Sequence, residues 1–190
     1  MIKHVCVFAA SSNSSPASFV LAAEAVGRLI AERDYRLVYG AGAVGLMGVT
    51  ARSVHAHHGH VIGVIPEKLR TIELAYEAAD EIIVTQTMSE RKSIMESRSD
   101  AFIFLPGGFG TIEELMEVIV LKQLGYHAKP LVFLNVDGIY DGLMAFFADL
   151  MNAGLVKDDQ CNLFHVAETP EAIFDYFDSY DPATVSTKWF

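Results

Sequence analysis

Short runs of apolar residues alternate along the chain with longer stretches whose apolar positions recur every three or four residues. A continuous apolar run bounded by Gly, Pro or Ser is typical of a strand buried on both faces, and the longer spacing is typical of an amphipathic helix. Six such runs predict strands, at residues 4–10, 36–39, 61–65, 81–86, 101–105 and 131–135.

The intervals between these runs have helical character. Pro16 suits the first turn of a helix, and Thr87 with Glu90 has the spacing of a capping box that begins a helix through Ser97. Further helices are predicted up to about residue 58 and over residues 112–124, 140–153 and 171–180. Because strands separated by helices pair in parallel through right-handed crossovers, we predict one α/β domain over residues 1–190. Its fold is a Rossmann-like, doubly wound parallel sheet with helices on both faces.

The net charge of -10 changes the range of expected partners. Proteins that coat nucleic acid or anionic membranes need dense Lys and Arg, so we expect neither partner. No run approaches the ~20 apolar residues of a membrane span, and the two cysteines, Cys6 and Cys161, form no spaced framework. We therefore expect a cytoplasmic protein whose ligand is a small molecule.

Three loops that follow predicted strands consist mainly of Gly, Ser, Ala and Asn. They are residues 11–15, 40–48 and 106–111. In doubly wound sheets, ligands bind beyond the carboxyl ends of the strands. Small residues let a ligand approach the backbone, and free N–H groups at a helix start bind anions. The loops predict a site for a phosphorylated ligand.

The run from Gly40 to Gly45 matches G-x-G-x-x-G between a strand and a helix. Three interpretations remain open: a tight turn, a mononucleotide site and a dinucleotide site. The run follows the second strand rather than the first, which disfavours the dinucleotide. Glu67 stands near the place of a ribose-binding acid, but Pro66 before it also fits a turn.

The loop 106–111, PGGFGT, leads into a helix that carries Glu113 and Glu114 in its first turns. Carboxylates there complement the helix dipole, which accounts for Glu113. Glu114 would face the loop expected to hold a phosphate, so it needs a cationic partner. Arg91 and Lys92 oppose the dipole of their own helix and need an anion. We predict that Arg91 and Glu114 meet in one cleft.

Several motifs together resemble those of the LONELY GUY (LOG) family, the cytokinin riboside 5′-monophosphate phosphoribohydrolases, many of which once carried the label lysine decarboxylase. PGGFGTIEE resembles the family signature P-G-G-x-G-T-x-x-E. VYGAGAVGLMG resembles Y-G-G-G-x-x-G-L-M-G, and MSERK at residues 88–92 resembles M-x-x-R-K. SDAFIFLPGG and KPLVFLNVDGIYDGL also follow the family pattern, so the resemblance covers nearly the whole chain.

The resemblance implies hydrolysis of the N-glycosidic bond of an adenosine 5′-monophosphate, plain or N6-substituted, to free base and ribose 5-phosphate. It makes Glu114 and Arg91 the catalytic pair and implies no cofactor and no metal. It also implies a homodimer with the site near the interface. The residues expected to bind substrate or phosphate are Gly107, Gly108, Gly110, Thr111, Lys92, Ser11, Gly42 and Met88.

Two departures from the family pattern lie in the other loops. Ala9, Ala10 and Ser11 stand where the family has Cys-Gly-Ser, and Ala41 replaces a glycine. Both bear on how closely these loops approach the ligand and on which base the protein accepts.

Some residues of the chain could also suggest other chemistries. His55, His57, His58 and His60 could suggest a metal site, but His also suits a helix C-terminus, which we favour. Lysine decarboxylation would need pyridoxal phosphate and a Schiff-base lysine, and no lysine is marked for that role. A nicotinamide-dependent enzyme that uses the run from Gly40 to Gly45, and a non-catalytic nucleotide carrier or sensor, remain as alternatives.

Overall fold

Seven parallel strands form one sheet in a computed structural model that describes residues 2–70 and 75–182, apart from the side chains of Asp158, Asp159 and Cys161. The strand order is β4-β3-β2-β1-β5-β6-β7. The strands are β1 His4–Phe8, β2 Arg36–Tyr39, β3 His60–Pro66, β4 Glu81–Thr85, β5 Ala101–Phe104, β6 Leu131–Leu134 and β7 His165–Ala167. The helices are α1 Ala17–Glu32, α2 Gly45–Ala56, α3 Glu67–Arg70, α4 Met88–Ser97, α5 Phe109–Gln123, α6 Asp141–Asn152 and α7 Pro170–Ser179.

The predicted fold class is confirmed, and each of the six predicted strands is present with bounds that differ by two residues or fewer. The capping box is also present: Thr87 Oγ1 accepts from the amide of Glu90, and the Glu90 carboxylate accepts from the amide of Gln86. The strand β7 was missed because its three residues are too few to show a pattern. The helix α2 begins at Gly45, so the second half of the glycine-rich run is its first turn.

Successive residues of the central strands point to opposite faces, and both faces are covered. Val7 and Ile103 pack in the layer that α1, α2 and α7 cover. Their neighbours Phe8 and Phe104 pack in the layer that α4, α5 and α6 cover. Burial on both faces explains why these strands read as continuous apolar runs. Each such side chain stabilises the fold by roughly 1.5–3 kcal/mol.

The direction of strand addition reverses at the centre of the sheet. From β1 the chain adds β2, β3 and β4 on one side, and then returns to add β5, β6 and β7 on the other. The loops after β1 and β5 therefore diverge and leave a crevice between them, which is where such sheets bind ligands. Within the described ranges, no helix is both long and apolar enough to cross a membrane.

The glycine at the start of α2 is required by its backbone conformation. Gly45 has a φ of +60°, and a Cβ added there would lie 2.5 Å from the carbonyl oxygen of Ala10. Replacement of Gly45 by alanine should therefore lower the free energy of unfolding by at least about 1–2 kcal/mol, the cost of a left-handed non-glycine residue. Urea denaturation followed by circular dichroism measures this change.

A matched control is Gly142→Ala in the first turn of α6, where no heavy atom lies within 4 Å of the added Cβ. This variant should be stabilised by roughly 0.5–1 kcal/mol, because alanine loses less backbone entropy in a helix. Equal urea midpoints for Gly45→Ala and the unchanged protein would mean that the turn tolerates a side chain.

Candidate active site

The three small-residue loops converge at the crevice beside β1 and β5. They enclose a cavity of about 340 Å³ with apolar, sulfur-bearing and charged walls. The lining residues are Val7, Phe8, Ala9, Ala10, Ser11, Gly40, Met47, Leu69, Met88, Arg91, Met95, Gly108, Phe109, Gly110, Thr111, Glu113 and Glu114. Both members of the predicted catalytic pair, Arg91 and Glu114, therefore face one cleft.

Arg91 is held by carbonyl groups at the ends of two strands. Its side chain leaves α4 and is buried, with the residue only 7% exposed. Nε donates to the carbonyl oxygen of Val64 at 3.1 Å, and Nη2 donates to that of Gly40 at 3.2 Å. A Cβ on Gly40 would lie 1.8 Å from Nη2, so a side chain there would displace the guanidinium. The guanidinium thus has a fixed position on the cavity wall.

Glu114 lies opposite this guanidinium on α5. Its Oε1 is 3.7 Å from Nη1 of Arg91, and its side chain is 13% exposed. Burial raises the pKa of Glu114 to about 7, and the repulsion of Glu113 adds to this, while the positive charge of Arg91 opposes it. A carboxyl group that titrates near neutrality inside a cleft is a common feature of acid–base sites.

The start of α5 faces open space. The helix begins at Phe109 after Gly108, and Gly108 and Gly110 have no heavy atom within 4 Å of an added Cβ. Thr111 is buried and lines the cavity. Gly107 does not line the cavity and packs against Thr111, whose Oγ1 would lie 2.1 Å from a Cβ added at Gly107. The N–H groups of this first turn can therefore donate hydrogen bonds to an anion in the cavity.

The N–H groups at the start of α2 already donate hydrogen bonds to other groups of the chain. The carbonyl oxygen of Ala10 accepts from the amides of Leu46 at 2.9 Å and Met47 at 3.3 Å. The side-chain oxygen of Asn13 accepts from the amide of Gly45 at 2.9 Å. The N–H groups that a pyrophosphate would need are thus occupied, which favours the tight-turn interpretation of the G-x-G-x-x-G run. Gly42 packs against Met47 and does not line the cavity.

Lys92 was expected to bind the phosphate, and the structure places it elsewhere. Its Nζ pairs with the carboxylates of Glu113 and Glu117, and it does not line the cavity. These hydrogen bonds raise the pKa of Lys92 although burial alone would lower it. The side chain of Arg91 enters the cleft, whereas that of its neighbour Lys92 turns to these two carboxylates on α5. Glu113 lies in the second turn of α5, where Lys92, more than the helix dipole, matches its charge.

Of the other expected residues, Ser11 and Met88 line the cavity. The Sδ atom of Met88 is 3.9 Å from Nη1 of Arg91. Sequence reasoning missed the apolar wall formed by Met47, Leu69 and Met95. It also missed Phe109, which is 97% exposed at the mouth. A large aromatic residue between two glycines was the available signal for Phe109.

The histidine cluster has a structural role at the end of α2. His55 lies 2.9 Å from Oδ2 of Asp80 and 2.8 Å from the hydroxyl of Tyr76, and His60 lies 3.7 Å from Asp80. These contacts tie the segment before β4 to α2. Across the part of the chain that the structure describes, no group of three His, Cys, Asp or Glu side chains is placed to hold a metal ion.

Comparisons with known proteins identify relatives of this chain. The model of a family described as "Possible lysine decarboxylase" matches residues 47–177. The Oryza sativa subsp. japonica protein "Probable cytokinin riboside 5'-monophosphate phosphoribohydrolase LOGL5" is 43% identical over 180 residues, which are 95% of this chain and 73% of that protein. The Arabidopsis thaliana protein "Cytokinin riboside 5'-monophosphate phosphoribohydrolase LOG5" is 41% identical over 180 residues, with coverages of 95% and 79%.

Solved structures share the fold. The molybdenum cofactor binding protein of Rippkaea orientalis is 26% identical with a TM-score of 0.71, over 93% of this chain and 96% of that one. The molybdenum cofactor carrier protein of Chlamydomonas reinhardtii has a TM-score of 0.72 at 22% identity with the same coverages, which shows a common fold alone. The sequence identities above 40% over most of the chain are decisive: this chain belongs to the LOG family of cytokinin riboside 5′-monophosphate phosphoribohydrolases.

Proposed function

We propose that this protein hydrolyses the N-glycosidic bond of adenosine 5′-monophosphate or an N6-substituted form of it, which releases the free base and ribose 5-phosphate. The observation that carries the proposal is the Glu114 carboxyl group, with a pKa of about 7, facing Arg91 in a cleft that also contains the open start of α5. The LOG relatives are named phosphoribohydrolases of cytokinin riboside 5′-monophosphates, which supports the N6-substituted substrate in particular.

Glu114 supplies the chemistry at the reacting carbon. Cleavage of the C1′–N bond develops positive charge on C1′ and the ring oxygen, as in the hydrolysis of other glycosides. The Glu114 carboxylate stabilises that charge and accepts a proton from the attacking water, whose oxygen bonds to C1′. The base leaves with the electrons of the broken bond and takes up a proton.

Arg91 faces Glu114, and its positive charge favours the carboxylate form against the burial that raises the pKa of Glu114. A guanidinium stays protonated at every relevant pH. Because its Nε and Nη2 are occupied by the carbonyl groups of Val64 and Gly40, Nη1 is left to face Glu114 and the substrate. In this arrangement Arg91 orients the ribose hydroxyls or the departing base.

The 5′-phosphate lies on the first turn of α5. Gly108 and Gly110 there border open space, and Ser11 and Thr111 line the same cavity. Bonds from N–H groups to a charged phosphate are roughly twice as strong as neutral ones. The apolar wall of Met47, Leu69, Met88 and Met95 suits the flat face of a purine, with which methionine sulfur makes favourable contacts.

Three other functions are less well supported than hydrolysis. A carrier of nucleotide-like ligands is favoured by the fold shared with the molybdenum cofactor binding protein of Rippkaea orientalis. A nicotinamide-dependent enzyme is disfavoured by the closed start of α2. Lysine decarboxylation is disfavoured because, among the residues that the structure describes, those that line the cleft include no lysine. Tight binding of AMP and of an N6-substituted AMP without release of base from either would indicate the carrier.

We further propose a homodimer that covers the outer face of α5 and α6. Met116, Val120, Phe146 and Leu155 are exposed on this face, and α6 has no fully buried residue. A largely apolar groove of about 450 Å³ runs between the two helices. Exposed apolar surface of this kind marks interaction sites. Since α5 also carries Glu114 and the exposed Phe109, the partner subunit would lie near the active site.

Replacement of Glu114 by glutamine should retain AMP binding and lower the rate of adenine release by about 10²–10⁴-fold, because the amide cannot accept the proton. Chromatography of free adenine and calorimetric titration measure the two quantities. Glu117→Gln on the same helix removes an equal charge outside the cavity and serves as the control. Near-normal turnover of Glu114→Gln would remove this residue from the chemistry.

The raised pKa of Glu114 predicts a pH dependence for both rate and stability. If the carboxylate is the active form, kcat rises with pH and levels off above about 7. The stability of the protein should also depend on pH, because burial makes the pKa of Glu114 higher in the folded than in the unfolded protein. The stability that the protonated group contributes is fully present below the unfolded pKa, and it is lost as the pH rises through about 7. Relative to the unchanged protein, Glu114→Gln should therefore melt at a higher temperature at pH 8 but not at pH 4. A rate that falls between pH 5 and 7 would contradict the assignment.

The dimer is tested by placing charge on its apolar face. Val120→Glu should shift the protein from dimer to monomer in sedimentation experiments, because an interface core excludes unpaired charge. Val49→Glu, at a half-buried position on α2, is a control that adds the same charge on the opposite layer. A protein that is monomeric without any substitution would refute the dimer.

A further inference from the structure

A single buried hydroxyl holds the start of the phosphate-facing loop. Tyr140, just before α6, is 3% exposed, and its hydroxyl donates to the carbonyl oxygen of Leu105 at 2.6 Å. Leu105 comes directly before Pro106, the first residue of the loop. The ladder between β5 and β6 ends at Phe104 and Phe133, so the Leu105 carbonyl lies beyond the last strand pair. Tyr140 satisfies this carbonyl where the sheet no longer does.

The backbone amide and the ring of Tyr140 are both held by neighbouring residues. Its amide donates to the side-chain oxygen of Asn135 at 2.8 Å, and the Asn135 amide group donates to Asp141 at 2.7 Å. Its ring packs edge-on against Phe133 with centroids 5.1 Å apart. Burial also raises the pKa of Tyr140, so the hydroxyl remains a donor. The hydroxyl therefore occupies one position, set by β6 and α6.

The peptide that Tyr140 holds connects the loops of the site. The amide of Leu105 donates to the carbonyl oxygen of Phe8 at 3.0 Å, and the carbonyl oxygen of Pro106 accepts from Ala10 at 3.1 Å. The carbonyl oxygen of Ala10 in turn accepts from Leu46 at the start of α2. A shift of the Leu105–Pro106 peptide would thus move the loop relative to the rest of the cavity.

We propose that Tyr140 is a positioning residue for phosphate binding, which acts through Leu105 to hold the loop at residues 106–111 and the first amides of α5. The proposal rests on the proposed function, since it assigns the substrate phosphate to that loop. Glu114 is less dependent on Tyr140, because the fully buried Leu115 and Val118 anchor its part of α5 in the core. Loss of the hydroxyl should therefore weaken phosphate binding more than it slows the chemical step.

Tyr140→Phe removes the hydroxyl and keeps the ring, so it is the direct test. Loss of one hydrogen bond to a buried carbonyl predicts a rise of roughly tenfold in KM for AMP and in Kd for ribose 5-phosphate, with kcat within about threefold. Binding of adenosine, which has no phosphate, should be unchanged. Steady-state kinetics gives the first pair of values, and calorimetric titration gives the Kd values without requiring turnover.

The matched control is Tyr180→Phe, because the hydroxyl of Tyr180 also donates to a backbone carbonyl, that of Ala128, at 2.8 Å and away from the cavity. This variant should leave both Kd values unchanged. An equal loss of adenosine and ribose 5-phosphate binding in Tyr140→Phe, or no loss of either, would overturn the positioning role. The same effect in Tyr180→Phe would also overturn it.

The calorimetry separates this proposal from the hydrolase. If the unchanged protein binds ribose 5-phosphate but releases no base from AMP or from an N6-substituted AMP, the hydrolase is contradicted and the Kd values alone decide the role of Tyr140. If the unchanged protein does not bind ribose 5-phosphate, the phosphate site and the role of Tyr140 are both refuted.

Discussion

The ion pair between Arg91 and Glu114 is the constraint on which the site depends. Removing a guanidinium from water costs several kcal/mol unless other groups replace its hydration. Here the carbonyl groups of Val64 and Gly40 do so, and both residues come directly after the last pair between β2 and β3, Tyr39 and Gly63. The sheet therefore fixes the cation, and the cation determines where a buried carboxylate is tolerated. The raised pKa of Glu114 is the remaining cost of that burial.

The topology of the sheet explains why the start of α2 is closed and the start of α5 is open. The sheet reverses direction between β1 and β5, so the loops after these strands part at the crevice. The start of α2 lies close enough to the β1 loop to be closed by Ala10 and Asn13. The start of α5 projects into the gap and keeps its amides available. Of these two helix starts, that of α5 is the one with open space for an anion.

An acidic chain attracts a phosphate only through local fields. The net charge is -10, but charges farther apart than a Debye length of about 8 Å at physiological ionic strength are largely screened at the surface. Lys92 neutralises Glu113 and Glu117 on the flank of α5, which limits the repulsion that these carboxylates would exert on a phosphate. Its contribution to the site is therefore indirect, through the carboxylates, whereas Arg91 faces the cavity.

The sequence by itself determined the fold class, because strands buried on both faces, such as β1, β5 and β6, must be almost entirely apolar, and the longer patterned stretches between the strands indicate helices. It also predicted that Arg91 and Glu114 meet, since each was placed against the dipole or the anion expected near it. It could not decide the surroundings of Lys92, the meaning of the run from Gly40 to Gly45, or the strand β7. The surroundings of Lys92 depend on the direction of its side chain. The role of the run from Gly40 to Gly45 depends on the carbonyl group of Ala10 in a distant loop, and β7 depends on the pairing of its three residues with β6. Only the tertiary structure brings such groups together, because no local pattern records which distant partner will satisfy a given donor or charge.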